Sequence, residues 1–482
     1  MSGALHELSA VELTGAIRSR EVSAREALDA HVARIDAVNG RINAVITEDR
    51  EGAVALAAAA DELTASGADL PPLHGLPMTH KDTHNTRGLR TTQGSTIFRD
   101  FVPTFDDLII GRLKGAGVVT TGKTNVPEFA AGSHTFNEVF GTTVNPYDTS
   151  RSAGGSSGGV AASIAARIQP LGDGSDMGGS LRVPASFCNV VGYRPSIGVI
   201  PSLPTRNARA WLSRNGLMAR DVEDIALGMT AIAGADPAIP FAYPVRGSFG
   251  AGLQRDLTGL RIGWSPDFGL DVPVDREVLR VLEGQLQVFA GLGAIVEEAA
   301  PDLRDADQVF GTTRAFDFVL GLGDLVARHG EAIKPEIRWN VEQGQRLTAQ
   351  ELVDAAVART HLDAGVRRYF GRYDVFVSPA AQVLPFDAAE RYPTSLNGVA
   401  FETYLDWMRS ACLISATGLP AVSVPAGFSA DGLPVGLQIV MPHGSDVELL
   451  QVAYAFEQAT GWAKRAPELS PASDREHAGP QG

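Results

Sequence analysis

Two glycine-framed serines constrain this chain more than any other feature. The first lies in Gly154-Gly155-Ser156-Ser157-Gly158-Gly159, and an alanine-rich stretch follows it. The second closes Gly172-Asp173-Gly174-Ser175-Asp176-Met177-Gly178-Gly179-Ser180-Leu181-Arg182-Val183-Pro184-Ala185. Singly, such segments are ordinary flexible loops. As a pair framing one helix they describe a fixed scaffold, because glycine lets the backbone turn tightly and approach a ligand closely. A lysine in Thr79-His80-Lys81-Asp82 lies upstream of both.

The surrounding pattern is that of alternating helices and strands. Ser9-Ala10-Val11-Glu12 and Ser23-Ala24-Arg25-Glu26 are capping boxes that predict helix starts, with Ala27, His31, Ile35 and Val38 on one face of the second helix. Residues 52–66 predict a third helix, and Pro71-Pro72 ends helical character. Residues 117–121, 260–264, 373–378, 421–425 and 435–441 predict strands, with helices at 276–292, 349–371 and 447–460. Such alternation predicts an α/β fold with a sheet covered on both faces. The tail after Ala466, rich in Pro, Ser and charge, is expected to fray.

The chain has 482 residues, a length that by itself suggests about three domains. Lys plus Arg number 41 against 56 Asp plus Glu, giving a formal net charge of -15. Such a surface repels phosphate backbones and anionic lipid, so neither a nucleic-acid nor a membrane partner is expected. The start MSGALHELSA lacks a basic region followed by an apolar one, and no stretch of about 18 apolar residues occurs; the cytoplasm is the default compartment. Cys188 and Cys412 are expected as buried free thiols.

Three motifs compete for the chemistry. Gly117 to Thr124 matches the phosphate-binding pattern G-x-x-x-x-G-K-T, but strand-forming Val118-Val119-Thr120-Thr121 fills the would-be loop. Pro127 also makes a poor helix start, so a buried strand and turn is the better reading. Gly154-x-Ser156-x-Gly158 matches the nucleophile elbow of Ser-His-Asp hydrolases, and the frame centred on Ser157 does too. That elbow needs a strand before the serine, whereas Asp148-Thr149-Ser150-Arg151-Ser152-Ala153 is loop chemistry. His329, His361 and His443 have no setting that marks them as catalytic. His80 and His84 bracket Lys81, but without further ligand-spaced Cys or carboxylates no metal is expected.

The third motif carries a resemblance. Leu76-Pro77-Met78-Thr79-His80-Lys81-Asp82, Gly122-Lys123-Thr124-Asn125-Val126-Pro127-Glu128-Phe129 and the two glycine-serine segments resemble the amidase signature family. The likeness continues through Thr417 to Pro425 and Gly432 to Gln438. It implies one α/β/α domain around a large mixed sheet, overriding the count from length. Within that domain fall a helical N-terminal segment (1–70), a signature core (73–204), a C-terminal half (205–465) and the tail (466–482). It implies Ser180 as the acylated nucleophile, Ser156 as a bridging serine after a cis peptide from Gly155, and Lys81 as the base. It also implies an oxyanion hole from the backbone N–H groups of Met177, Gly178, Gly179 and Ser180.

The physics of these roles is independent of the likeness. A serine needs a base to remove its proton, and lysine serves only when burial keeps it neutral. Asp176 and Arg182 are expected as an ion pair shaping the loop, and Asp82 as a loop-fixing acceptor. Ala130 and Ser133 look like substrate contacts. The expected activity is hydrolysis of an amide, with carbamates and esters left open, by a monomer or homodimer without cofactor. The alternative inside the family is the glutaminase-type subunit of an amidotransferase. Residues 403–412 lack the Asn-Asp-hydrophobic-Thr pattern of those subunits. With no charged groups found for a glutamine, and Phe129, Phe136, Trp211 and Trp407 near the motifs, a bulky apolar substrate is expected.

Overall fold

The computed structural model describes residues 4–240 and 242–469. Both capping boxes form. Ser9 and Glu12 exchange bonds at the head of helix Ala10–Arg18, and Ser23 and Glu26 do so for Ala24–Ile42. A cap of this kind contributes about 1 kcal/mol. Ala27, His31, Ile35 and Val38 are all buried. His31 ties that helix to the centre of the molecule, its ring nitrogens lying 2.8 Å from the Ile168 carbonyl and 3.0 Å from Thr121 Oγ1. The alanine-rich helix Arg50–Ser66 ends on Gly67 in the left-handed region (φ 75°).

Eight strands form the main sheet. Their order is Ile295–Glu298, Arg261–Trp264, Val375–Pro379, Pro434–Val440, Ala421–Phe428, Val191–Arg194, Arg214–Ala219 and Leu171–Asp176. The first three pair in parallel and the rest are antiparallel, so the sheet is mixed. Alternate residues feed two separate cores, as a two-residue side-chain period demands. Val422, Val424, Leu437 and Ile439 join helices Val222–Ile232, Arg276–Gly291 and Asp446–Thr460 on one face. Ala421, Phe376, Met218 and Val440 join helices Gly158–Ala165, Arg182–Cys188 and Arg409–Thr417 on the other. Each fully buried Val, Leu or Ile contributes about 1.5–3 kcal/mol, so a charge at Leu437 or Ile439 would break the layering.

A smaller sheet sits beside the last strand, ordered Val45–Glu48, Val119–Thr124 and Pro77–Lys81. Gly122-Lys123-Thr124 of the phosphate-binding pattern therefore lies within a strand, not a loop. A Cβ at Gly122 would stand 2.0 Å from the Thr47 carbonyl oxygen. Close approach of the neighbouring strand, rather than a phosphate, requires that glycine.

Helices Ala306–His329, Pro335–Arg346 and Arg409–Thr417 have no counterpart among the sequence patterns above. Gly311, Gly321 and Gly323 weaken the helical pattern of the first, and tertiary packing overrides it. Of the tail, residues 470–482 lie outside those described, and Leu469 is buried against the core, contrary to fraying from 466. Cys188 and Cys412 are buried and unbridged. Among the described residues no helix is long and apolar enough to cross a membrane.

Candidate active site

Lys81 is the last residue of strand Pro77–Lys81 and has no exposed surface. Its Nζ lies 2.9 Å from each of three hydroxyls, those of Ser156, Ser157 and Ser175. Among the described residues no carboxylate pairs with it. Burial pushes its pKa from 10.5 down to about 7, against the more distant charges of Asp176 and Asp173, which favour the cation. At neutral pH a large share of this lysine is uncharged, as a proton acceptor must be.

Asp173 organises the strand from behind. Its carboxylate receives His80 Nδ1 at 2.7 Å, His84 Nδ1 at 2.5 Å and the Lys81 amide at 3.2 Å. Burial alone would protonate Asp173, but the two imidazoles hold it well below the usual carboxylate range. Burial also keeps His80 neutral. The network then assigns its proton to Nδ1, with Nε2 accepting from Thr120 Oγ1 at 3.0 Å. Asp82 accepts from the Thr92 amide and hydroxyl, which fixes the next turn.

Ser156 follows a cis Gly155–Ser156 peptide at the entry to helix Gly158–Ala165. No strand precedes it, so the nucleophile-elbow geometry is absent. His443 stacks on Tyr243 at 4.1 Å and His361 pairs with Asp305 at 3.8 Å, neither of them on Ser156 or Ser180. Ser180 is 7% exposed, whereas Ser156 and Ser157 are fully buried. The Ser180 carbonyl accepts from the Ser157 amide at 3.2 Å, so the two serine segments are joined through the backbone. Among the described residues its Oγ makes no hydrogen bond, to Ser156 or any other group.

The segment 177–180 is shaped by Asp176. That carboxylate accepts from Arg182 Nε at 3.0 Å and Nη2 at 2.9 Å, forming the expected pair, and Arg194 adds a second cation. Despite burial, these cations keep Asp176 ionised. It also accepts the Gly179 amide at 2.9 Å and the Leu181 amide at 3.1 Å. The Gly179 N–H therefore shapes the turn (φ 101°) and does not face a substrate, contrary to its expected place in the oxyanion hole. The amides of Met177, Gly178 and Ser180 make no bond among the described residues.

Segment 129–134 runs alongside. Ala130 is half-buried in the left-handed region (φ 56°), and Ser133, 1% exposed, reaches Met408 Sδ at 3.4 Å. Ser133 and His134 pack against Gly155. Of the four aromatic residues expected at the rim, Trp407 is instead a core residue, 1% exposed and packed on Phe187 and Phe386. Trp211 lies under Arg359, 3.6 Å from its guanidinium. Only Phe129 and Phe136 keep partial exposure.

A cavity of about 450 Å³ is lined by Phe310, Gly311, Thr403, Leu405 and Cys412, among others. Phe310 and Cys412 also pack on Gly178, which brings this cavity to the glycine-rich segment. A larger one of about 660 Å³, around Met229, Tyr243 and Phe249, shares no residue with the lysine–serine group. The sequence patterns single out neither Ser175 nor Asp173, although Ser175 faces Lys81 Nζ and Asp173 holds the strand from behind.

Comparison with known proteins identifies the family. The Amidase family description matches residues 26–450. An acylamidase of Rhodococcus erythropolis is 36% identical, covering 96% of this chain and 98% of the relative. A glutamyl-tRNA(Gln) amidotransferase subunit of Carboxydothermus hydrogenoformans is 34% identical, covering 96% and 100%. The crystal structure of a bacterial aryl acylamidase of the amidase signature family superimposes with a TM-score of 0.89 at 27% identity, over 96% of this chain and 98% of that one. On the match to residues 26–450, the chain belongs to the amidase family.

Proposed function

We propose that the chain hydrolyses the C–N bond of an amide through an acyl-enzyme on Ser180, with Ser156 and Lys81 relaying the proton. The observation that carries this is the Lys81 amine, buried without a paired carboxylate and ringed by three hydroxyls at 2.9 Å. A neutral amine has two N–H donors and one lone pair. Donation to Ser157 and Ser175 uses both donors and turns the lone pair to Ser156.

Ser156 Oγ then gives its proton to Lys81 while accepting the proton of Ser180 Oγ, which turns on χ1 toward it. Ser180 attacks the amide carbon, and the carbonyl electron pair moves to oxygen. The free amides of Met177, Gly178 and Ser180 are donors for that oxyanion; one such donor is worth about 3 kcal/mol in the transition state. Collapse expels the amine, which takes the proton back through Ser156. Water repeats the sequence in reverse and releases the acid. An aryl carbamate or ester would use the same groups.

The likeness to the Rhodococcus acylamidase supports an amide substrate. The amidotransferase likeness supports the alternative, a glutaminase working with partner subunits. The missing Asn-Asp-hydrophobic-Thr pattern before Gly418 favours a chain active alone. A fluorophosphonate probe should label Ser180, and Ser180→Ala should remove the label. Label remaining on Ser156 or Ser157 would return the elbow reading. Glutaminase activity seen only with added subunits would overturn independent action.

A further inference from the structure

Arg314 is a buried cation with no carboxylate hydrogen-bonded to it among the described residues. It is 4% exposed, on helix Ala306–His329. Nε donates to Asn340 Oδ1 at 3.0 Å and Nη2 to the Tyr404 hydroxyl at 2.6 Å. Nη1 reaches only Met177 Sδ, at 3.1 Å. The guanidinium also lies 4.3 Å from the Phe318 ring centre. Asp317 on the same helix makes no hydrogen bond or close ion pair with it, although the Arg314 charge favours ionised Asp317, and Lys334 nearby is another cation. Arg182, another buried guanidinium of this region, has Asp176 at 2.9 Å.

This pattern is costly unless something else completes it. A desolvated guanidinium with no carboxylate hydrogen-bonded to it destabilises the fold, and a thioether is a weak acceptor for a guanidinium arm. The position of Arg314 says what completes it. Met177 is half-buried and opens the segment whose amides face the proposed oxyanion. Phe310 and Gly311, one turn earlier on the same helix, line the 450 Å³ cavity, as do Thr403 and Leu405 on either side of Tyr404. Arg314 thus lies one turn beyond the cavity-lining Phe310 and Gly311 and touches the glycine-rich segment through Met177. The flexible Met177 side chain covers it.

We infer that Arg314 is a substrate-recognition residue that binds a carboxylate on the acyl chain, Met177 Sδ holding the place of a carboxylate oxygen. The substrate class is the monoamide of a dicarboxylic acid. Asn340 and Tyr404 hold the planar fork in position, and Nη1 with the second N–H of Nη2 offers the paired donors a carboxylate accepts. This replaces the expectation of a purely apolar substrate, and it rests on the amide-hydrolysis reading.

The test compares succinyl-p-nitroanilide with its neutral isostere butyryl-p-nitroanilide, in the wild type and in Arg314→Met and Arg314→Lys. The wild type should favour the charged substrate roughly tenfold to a hundredfold in kcat/KM, mostly through KM. Arg314→Met should erase that preference while leaving the butyryl rate within about threefold, and Arg314→Lys should restore part of it. A wild type that prefers the butyryl substrate, or an Arg314→Met variant that loses both equally, overturns the proposal. Calorimetry with Ser180→Ala protein reads the same pair without chemistry, so it decides the matter even if neither anilide turns over. Failure of fluorophosphonate to label Ser180 would instead sink the underlying reading.

Discussion

Lys81 and Lys123 stand on adjacent strands of the small sheet, one register position apart, and both are fully buried. Burial lowers the pKa of each. Their partners differ. Lys81 Nζ meets three hydroxyls at 2.9 Å, groups that can give or take a proton, and a carbonyl, that of Ser175, only at 3.4 Å. Lys123 Nζ meets the His84 carbonyl at 2.5 Å and Thr86 Oγ1 at 3.1 Å, with the Asp82 charge next in effect. A carbonyl can only accept, so Lys123 is held as a donor and braces the turn after Lys81. Burial alone does not make a lysine a base; the protonation states open to its neighbours do.

The sharpest way to break this comparison is to replace each lysine by methionine. Lys81→Met should cut kcat by about four orders of magnitude or more, since the relay loses its base, and Ser180→Ala should do the same. Lys123→Met should keep the wild-type pH profile and lower stability by about 2–4 kcal/mol, because the His84 carbonyl loses its donor and Asp82 its neighbouring cation. Urea unfolding monitored by circular dichroism, beside anilide turnover, separates the two outcomes. If Lys123→Met abolished turnover in folded protein, the division of roles would be wrong.

Stability offers a second contrast. Lys81 titrates near 7 when folded and near 10.5 when unfolded, so between those values the unfolded chain binds more protons. Its contribution to stability therefore rises with pH across that window, by at most about 1.4 kcal/mol per unit, and Lys81→Met should flatten the slope. Turnover should rise through the same lower bound, near pH 7, as the free base forms. A profile flat from pH 5 to 9 would contradict a lysine base.

A smaller effect sharpens the assignment of the ring of hydroxyls. Ser157→Ala or Ser175→Ala each removes one acceptor of a Lys81 N–H and lets the lone pair turn from Ser156. Each should cost roughly tenfold in kcat, the equivalent of one hydrogen bond, and the double variant more than the product of the two. Additive losses would mean that neither serine orients the amine.

The sequence made legible what local patterns encode. Capping at Ser9 and Ser23, the strands feeding both cores and the Asp176–Arg182 pair follow from nearby residues, whereas the Lys81–Ser156 pairing comes only from the resemblance to the family. Ser175 and Asp173 stand inside the motif yet read as spacers, because a strand's pattern does not tell which neighbour it will face. Trp407 looks like a rim residue because aromatic type says nothing of burial. Arg314 is out of reach for a different reason: its meaning lies in missing a carboxylate, and only the assembled fold shows what a side chain does not touch.

The finest contrast concerns Asp173, which lies behind Lys81 and also adds to the field at Lys123. Its negative charge favours the cationic form of both amines. Asp173→Asn should therefore lower the pKa of Lys81 further, and the acid limb of kcat/KM should move to lower pH while the plateau changes little. The imidazoles complicate the sign only if they are charged. With His80 neutral and donating through Nδ1, removing the carboxylate removes one net negative charge from the pocket, and the direction stands. Were His80 protonated in the wild type, Asp173→Asn would release its proton, the local charge would change less, and the limb would stay put. Nitrogen-15 NMR of the two imidazoles across pH 5–8 tells these cases apart: neutral rings together with an unmoved limb would show that Asp173 holds the strand's shape and does not act on the Lys81 equilibrium.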